Sequence, residues 1–146
     1  MPSAVSPQSS SHEHKPSDER HSIGRAGEAL AAEHLLRLGF TIIERNVRTR
    51  HGEIDLIAFD GHTLVFVEVK SRRADPRAIP AMDSEQAPLV GLRRPQQLRL
   101  RALASAWLGE TSSRRPAARE IRFDAIGVTL DARARLLRLD HLEAAW

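Results

Sequence analysis

The feature that most constrains the fold is a hairpin pattern at residues 52–73 that places charged side chains inside two apolar runs. The runs, residues 54–59 and 64–69, are rich in β-branched residues, and Asp60 and Gly61 between them are typical of a tight two-residue turn. The second run is apolar at consecutive positions, which predicts a strand that is buried on both faces. The sequence therefore places charge where charge is least tolerated.

A two-residue turn would fix the register of this hairpin, because it pairs Glu53 with Glu68. Period-two alternation then puts four charged residues on one face of the two strands: Glu53, Asp55, Glu68 and Lys70. Burial of several acids beside one lysine is costly without a further counter-charge, so a bound cation is the natural remedy. An odd-numbered turn would separate Asp55 from Glu68 unless a bulge restored the phase.

The chemistry that needs such a set is metal-assisted hydrolysis of a phosphodiester. Two hard carboxylate oxygens at the ends of neighbouring strands can hold Mg²⁺ or Mn²⁺. Lys70, two residues after Glu68, projects from the same face and can contact the scissile phosphate or orient the attacking water. The structural alternative is that the acids are ordinary edge charges and that Lys70 is a surface lysine at the end of a strand.

The spacing of these residues resembles a known nuclease motif. Asp55, followed after twelve residues by Glu68-Val69-Lys70, resembles the PD-(D/E)XK nuclease core. Further segments are similar to the YraN-like family, also called UPF0102, over residues 22–140. They are Gly24-Arg25-Ala26-Gly27-Glu28-Ala29, Leu38-Gly39-Phe40, Asn46 and Arg122-Phe123-Asp124.

This resemblance implies a restriction-endonuclease-like fold, also seen in archaeal Holliday junction resolvases. The expected core is a three-layer α/β/α arrangement with a mixed sheet and the element order α-β-β-β-α-β-β. The resemblance assigns metal ligation to Asp55, Glu68 and the Val69 carbonyl, and it makes Lys70 the catalytic lysine. Glu28 matches an acid on the first helix of resolvase-like members, where it serves both catalysis and the metal.

The helical pattern gives the assignment of Glu28 independent support. Glu28 falls at the flank of the apolar stripe of the first helix, beside Leu35, so it can lean over the sheet. Its alternative role is an ordinary surface glutamate that pairs with a neighbour on the same helix. Glu53 either assists the metal or shifts the pKa of a nearby carboxylate, and it ranks below Asp55 as a ligand.

The domain organisation is simple. Residues 1–21 are rich in Ser, Pro and His without apolar periodicity, which predicts a disordered tail. Residues 22–146 are expected to form a single nuclease-like domain. Prolines interrupt residues 72–92, which predicts a mobile loop beside the proposed site. A second helix is predicted at residues 95–108, and its candidates for the buried side are Leu98, Ala102, Leu103 and Ala106. Further strands are predicted before the hairpin and after this helix.

Charge favours a polyanionic partner. The formal net charge is +3 and the pI is near 10.4. Candidate nucleic-acid contacts are Arg72 and Arg73 after the hairpin, and Arg94, Gln97 and Arg101, which form a stripe on the second helix. Low aromatic content favours recognition of the backbone rather than base stacking, with DNA as the expected partner. The alternative for this stripe is a solvated helix face.

The sequence also excludes several classes of protein. Cysteine is absent, which rules out disulfides, thiolate zinc sites and cysteine nucleophiles. No apolar run approaches the length of a membrane span or a secretion signal, so a cytoplasmic location is expected. Fold relatives often pair to reach two strands, which makes a homodimer a further expectation by analogy.

Three functions fit these patterns. The first is a Mg²⁺- or Mn²⁺-dependent endonuclease that hydrolyses DNA phosphodiester bonds, on branched or repair intermediates as the resolvase similarity implies. The second is a nucleic-acid-binding protein that keeps the same fold but does not cleave. The third is an interaction module in which the acids form salt bridges with Lys70 and nearby arginines.

Overall fold

The computed structural model describes residues 16–81 and 93–146 as a mixed α/β protein. Within these ranges, two α-helices and five strands follow one another in the predicted order: α1 (Pro16–Arg37), β1 (Thr41–Thr49), β2 (Gly52–Phe59), β3 (Thr63–Arg73), α2 (Arg94–Glu110), β4 (Glu120–Leu130) and β5 (Leu136–Leu142). A short 3₁₀ helix, Pro76–Ala81, follows β3. No helix within the described ranges is long and apolar enough to cross a membrane.

The five strands form one mixed sheet in the order β1-β2-β3-β4-β5. β3 and β4 are parallel, and the other neighbours are antiparallel. Parallel strands require a crossover, which α2 provides by returning the chain from the end of β3 to the start of β4. β3 is central, and its residues 63–68 are all buried, as the continuous apolar run predicts.

The helices cover opposite faces of the sheet. Alternation along β3 sends Val65 and Val67 into the core beneath α1, whereas Leu64 and Phe66 pack beneath α2. The α1 side also contains Leu35 of that helix, and the α2 side is built on buried helix residues that include Trp107. Each face of the central strands is therefore shielded from water, which is why those strands contain few polar residues.

The hairpin between β2 and β3 has a longer turn than predicted. Phe59 pairs with Leu64, so four residues, 60–63, separate the two paired positions although β3 already begins at Thr63, and the predicted pairing of Glu53 with Glu68 is wrong. The Asp60 carboxylate accepts hydrogen bonds from the backbone N–H groups of His62 and Thr63, at 2.9 and 2.7 Å, which closes this wider turn. The turn is still even-numbered.

Side-chain alternation in β2 is interrupted between Ile54 and Ile57. Both residues pack on the α2 side although they are three residues apart, while Leu56 packs on the α1 side. Strict alternation would have put Ile54 and Leu56 together. Glu53 and Asp55 nevertheless converge, because one carboxylate oxygen of each lies within 4.8 Å of the other.

Two predicted irregular segments contain regular structure. The first helix begins at Pro16, so the end of the predicted 1–21 tail is helical, and residues 1–15 lie outside the described residues. The predicted 72–92 loop begins with Arg72 and Arg73, which instead continue β3 alongside β4. The 3₁₀ helix follows, and the remainder of that loop, residues 82–92, also lies outside the described residues.

The second helix is present, but its buried face differs from the predicted one. Among the predicted core positions Leu103 is buried, whereas Leu98, Ala102 and Ala106 are exposed. Trp107, which sequence analysis did not select, packs edge-on against Phe66. Burial of the large Trp107 ring removes more apolar surface from water than burial of the two alanines would. The helix therefore packs on the sheet through the side that carries Trp107.

Candidate metal centre

Three carboxylates from two elements converge at one end of the sheet. Glu28 comes from α1, and Glu53 and Asp55 come from β2. One oxygen from each lies within 4.8 Å of the others, which is close enough for all three to bind one ion. The Asn46 side chain of β1 hydrogen-bonds Glu28 and lowers the pKa of that carboxyl. Asn46 has a φ of 50°, a left-handed conformation that asparagine tolerates better than most residues.

Asp55 is held at the point where β2 and β3 separate. The recorded backbone pairing of these strands ends at Leu56 and Val67. Two residues further along β3, the Val69 N–H donates to the Oδ2 atom of Asp55 at 2.7 Å. A side chain thus takes the place of a backbone acceptor in the ladder. This replacement fixes the carboxylate at the open end of the strand pair.

The electrostatics of the cluster favour the protonated form of two of its acids, Asp55 and Glu28. Burial, followed by the charge of Glu68, raises the pKa of Asp55 to about 7, and Glu28 and Glu53 add to this effect. Burial also raises the pKa of Glu28, against the hydrogen bond from Asn46. Like charges confined in a partly dry space resist simultaneous ionisation.

Glu68 and Lys70 form an ion pair beside this cluster. The Lys70 Nζ atom lies 3.1 Å from Glu68 Oε1, and the Glu68 side chain is only 9% exposed, whereas that of Lys70 is 35% exposed. Glu68 is close enough to act on the pKa of Asp55 but is not one of the three carboxylates that meet within 4.8 Å. Its role as a metal ligand, and that of the Val69 carbonyl, stay predictions.

A cleft of about 570 Å³ opens beside the acids. Its wall includes Glu28, Glu53 and three arginines, namely Arg20, Arg25 and Arg48. Arg48 pairs with Glu53 at 3.2 Å. Arg20 and Arg25 make no ion pair within the described part of the chain. Cations therefore border the carboxylates, with two of them available to an anionic ligand.

The predicted nucleic-acid residues do not gather at this cleft. Arg73 pairs with Glu19 of α1. On α2, Arg94 is exposed in the first turn, and the Arg101 guanidinium lies 5.0 Å from the centre of the Phe123 ring. That contact lies on the side of the helix nearest β4, away from the three carboxylates. A phosphate-binding role for the predicted residues, including Arg72 and Gln97, stays a prediction.

Sequence analysis missed the cations of the cleft. Arg20 and His21 fall in the predicted tail, so their place in the cleft follows from the unexpected first turns of α1. Arg25 was noted only as a motif residue, although it lies three positions before Glu28 and so near the same helix face. That spacing was a usable signal. No local pattern distinguishes Arg48 from the other arginine of β1, Arg45.

The fold and this site define a mixed α/β protein with a carboxylate cluster at the open end of a central hairpin. A family model described as "Uncharacterised protein family UPF0102" matches residues 27–128, a span that holds the three carboxylates, Glu68 and Lys70. The chain belongs to the UPF0102 family, as the sequence motifs predicted.

Individual relatives are similar over most of their length. A UPF0102 protein of Chlorobium limicola is 38% identical over 131 residues, which cover 86% of this chain and 93% of the relative. A UPF0102 protein of Symbiobacterium thermophilum is 46% identical over 106 residues, covering 73% and 80% respectively. A third, from Acidothermus cellulolyticus, is 41% identical over 116 residues, covering 75% and 82%.

Proposed function

We propose that this protein is a metal-dependent nuclease that hydrolyses phosphodiester bonds of DNA. The observation that carries the proposal is the convergence of Glu28, Glu53 and Asp55 beside an arginine-lined cleft. Carboxylates suit a hard divalent cation, and guanidinium groups match phosphate oxygens. Their juxtaposition provides both binding elements that metal-assisted phosphodiester hydrolysis needs.

The donor set fits Mg²⁺ or Mn²⁺. All three converging groups offer carboxylate oxygens, and no histidine or sulfur ligand stands among them. Burial, together with the charges of neighbouring acids, raises the pKa values of Asp55 and Glu28, so a divalent cation bound among them would favour their ionised forms. Glu28, Glu53 and Asp55 would hold the ion, with Glu68 and the Val69 carbonyl as the further ligands that the motif indicates. When bound, the cation would stabilise negative charge on the phosphate during hydrolysis.

The remaining charged residues would act on the substrate directly. Lys70 is one-third exposed, so its ammonium can donate a hydrogen bond to a phosphate oxygen while it keeps its ion pair with Glu68. Arg20 and Arg25 would bind phosphates on either side of the scissile bond, because their guanidinium groups border the same cleft. These contacts read the backbone and not the sequence.

The arrangement also supports the proposed PD-(D/E)XK relationship. Asp55 lies where two antiparallel strands separate, Glu68 and Lys70 follow on the neighbouring strand, and Glu28 approaches from the first helix. This is what the motif requires of a restriction-endonuclease-like core. On that basis we extend the proposal to branched or repair intermediates of DNA.

A non-catalytic nucleic-acid-binding protein is the alternative. The Lys70–Glu68 ion pair favours it, because a lysine neutralised by its neighbour needs no substrate to satisfy its charge. In that case the acids would serve structure and the arginines would serve binding.

Metal binding is the first test. Mn²⁺ titration followed by calorimetry should give one bound ion in the unmodified protein and at least about tenfold weaker binding in Glu28→Gln and Asp55→Asn. Glu33→Gln is the matched control on the same helix, because Glu33 is exposed and its carboxylate pairs with the exposed Arg37. Equal Mn²⁺ affinity in all four proteins would exclude the proposed metal centre.

Cleavage is the second part of the test. Single-stranded, duplex and four-way-junction DNA should be cut only when Mg²⁺ or Mn²⁺ is present. Lys70→Ala should keep its Mn²⁺ affinity and lose about a hundredfold or more in cleavage rate. Salt-sensitive DNA binding without cleavage under any of these conditions would favour the non-catalytic alternative.

A further inference from the structure

A second cleft lies across the β1–β2 hairpin from the carboxylates, and its lining is basic. The cleft has a volume of about 630 Å³ and lies between the hairpin and α2. Its cationic side chains are Arg48 and Arg50 of the hairpin and Arg99 of the helix, and His51 lies between them. Glu110 is the acidic residue of the lining. We call this cleft the hairpin groove.

The absence of a side chain at Gly52 lets α2 pack closely against the hairpin. Gly52 has a φ of +148°, and a Cβ atom at this position would lie 3.2 Å from Leu103 Cδ1 and 3.5 Å from Arg99 Cδ. The aliphatic stem of Arg99 therefore rests over the glycine, which holds the guanidinium beside the hairpin. Arg50 is oriented as well, because its Nε donates to His51 Nε2 at 2.9 Å.

The groove lies on the opposite flank of α2 from the predicted phosphate stripe. Arg99, Ala106 and Glu110 line the groove and share one side of the helix at about 100° per residue. The same rotation puts Arg94 and Arg101 on the far side, where Arg101 contacts Phe123 of β4. The two arginine sets therefore cannot line one phosphate backbone along the same flank.

Arg48 lines both the carboxylate cleft and the hairpin groove. A polyanion that extends from the carboxylate cleft into the hairpin groove thus stays next to arginine side chains as it crosses the hairpin. Phosphodiester backbones carry charge at every nucleotide, so they match such a series better than a compact anion does.

We propose that the hairpin groove binds a second segment of the nucleic-acid substrate, next to the segment held at the carboxylates. This inference rests on the proposed function, because it takes the polyanion to be nucleic acid. Arg50 and Arg99 neutralise the phosphates of that segment, Arg48 stays paired with Glu53 at the junction of the two clefts, and Arg94 and Arg101 take no part. The groove supplies affinity and positions the strand, whereas the chemistry stays with the carboxylates.

The test compares charge reversals in a binding assay with EDTA, which removes metal ions and prevents cleavage. Anisotropy of a labelled 20-nucleotide strand and a 20-base-pair duplex would be measured at several salt concentrations. The groove variant is Arg50→Glu/Arg99→Glu. The matched control is Arg114→Glu/Arg119→Glu, whose arginines are exposed in the connection between α2 and β4.

We expect the groove variant to bind the labelled DNA at least about tenfold more weakly than the control does. The slope of its log affinity against log salt concentration should be smaller by the amount that corresponds to about two lost phosphate contacts. Equal affinity and equal salt dependence in the two variants would overturn the proposal. Arg99→Gln repeats the comparison with a milder change and should show a smaller loss in the same direction. Circular dichroism would confirm that each variant is folded.

The result separates this proposal from the proposed function. Weak binding by the groove variant, with no metal-dependent cleavage by the unmodified protein, would support the groove and contradict the nuclease. Metal-dependent cleavage together with equal binding by both double variants would support the nuclease and contradict the groove.

Discussion

At the scale of single residues, two opposing effects act on the ionisation of the Asp55 carboxyl. Its carboxylate accepts the Val69 N–H bond, which favours the charged form. Burial and Glu68 outweigh that bond and raise the pKa of Asp55 to about 7. The metal-free protein therefore carries an acid whose ionisation opposes folding.

This conflict predicts a pH-dependent effect of Asp55→Asn. The pKa of Asp55 is higher in the folded than in the unfolded protein, so its contribution to stability is lost as pH rises from about 4 through about 7. With EDTA present, Asp55→Asn should become more stable relative to the unmodified protein as the pH rises. The difference between their free energies of unfolding should change in favour of Asp55→Asn by about 2–3 kcal/mol between pH 5 and pH 8. Urea titrations at the two pH values measure this difference.

Glu33→Gln controls for the loss of an acid on the surface and should show a constant difference at both pH values. A constant difference for Asp55→Asn as well would mean that its carboxylate is not desolvated. Since the raised pKa supports the metal proposal, that outcome would weaken the proposal too.

At the scale of elements, the position of Glu28 depends on how closely α1 packs on β3. Gly27, the preceding residue, is buried, and a Cβ atom there would overlap the Ser71 side chain, with Ser71 Cβ only 2.9 Å away. The absent side chain lets the helix approach the strand. That approach brings Glu28 toward the acids of β2.

The close approach predicts that Gly27→Ala destabilises the protein by about 1–3 kcal/mol, because the new methyl group forces the helix away from the strand. Gly24→Ala on the same helix meets no atom within 4 Å and should be neutral or slightly stabilising. Chemical denaturation of both variants makes the comparison. Ser71→Ala should restore part of the stability of Gly27→Ala, since it removes the nearest overlapping atom.

At the scale of the whole molecule, Asp124 connects β4 with β5 and, through His141, with α1. Its buried carboxylate accepts two bonds from Arg122, each of 2.8 Å, one from His141 at 2.8 Å and one from the Ala144 N–H at 3.0 Å. His141 in turn contacts His34 of α1 at 3.1 Å. The network links a helix, two strands and the end of the chain.

Removal of this carboxylate should be more damaging than removal of a surface acid. Burial alone would raise the pKa of Asp124, but bonds from His141 and Arg122 outweigh it and hold the pKa below its usual value. Asp124→Ala should therefore cost about 3–5 kcal/mol, because it leaves Arg122 and His141 partly buried without their partner.

Thermal and urea unfolding would measure this loss, with Glu33→Gln expected to change stability by less than about 0.5 kcal/mol. If Asp124 were instead part of the metal centre, Asp124→Ala would lower Mn²⁺ affinity. We expect the folded fraction to bind Mn²⁺ as tightly as the unmodified protein does.

The sequence by itself determined the order of the elements and the chemistry of the central hairpin. Apolar periodicity located both helices and all five strands, because each pattern depends on neighbours only a few residues away. The even-numbered turn and the spacing from Asp55 to Lys70 were likewise local properties. They were enough to select the family and to identify the residues on which the proposed function depends.

Only the tertiary structure decided which acids meet and which cations surround them. The wider turn moved Glu53 away from Glu68, and close helix packing brought Glu28 to Glu53 and Asp55 instead. The first turns of α1 carried Arg20 into the cleft from a segment predicted to be a tail. These contacts join positions far apart in the chain. They depend on where strands separate and how closely a helix packs, neither of which local periodicity encodes.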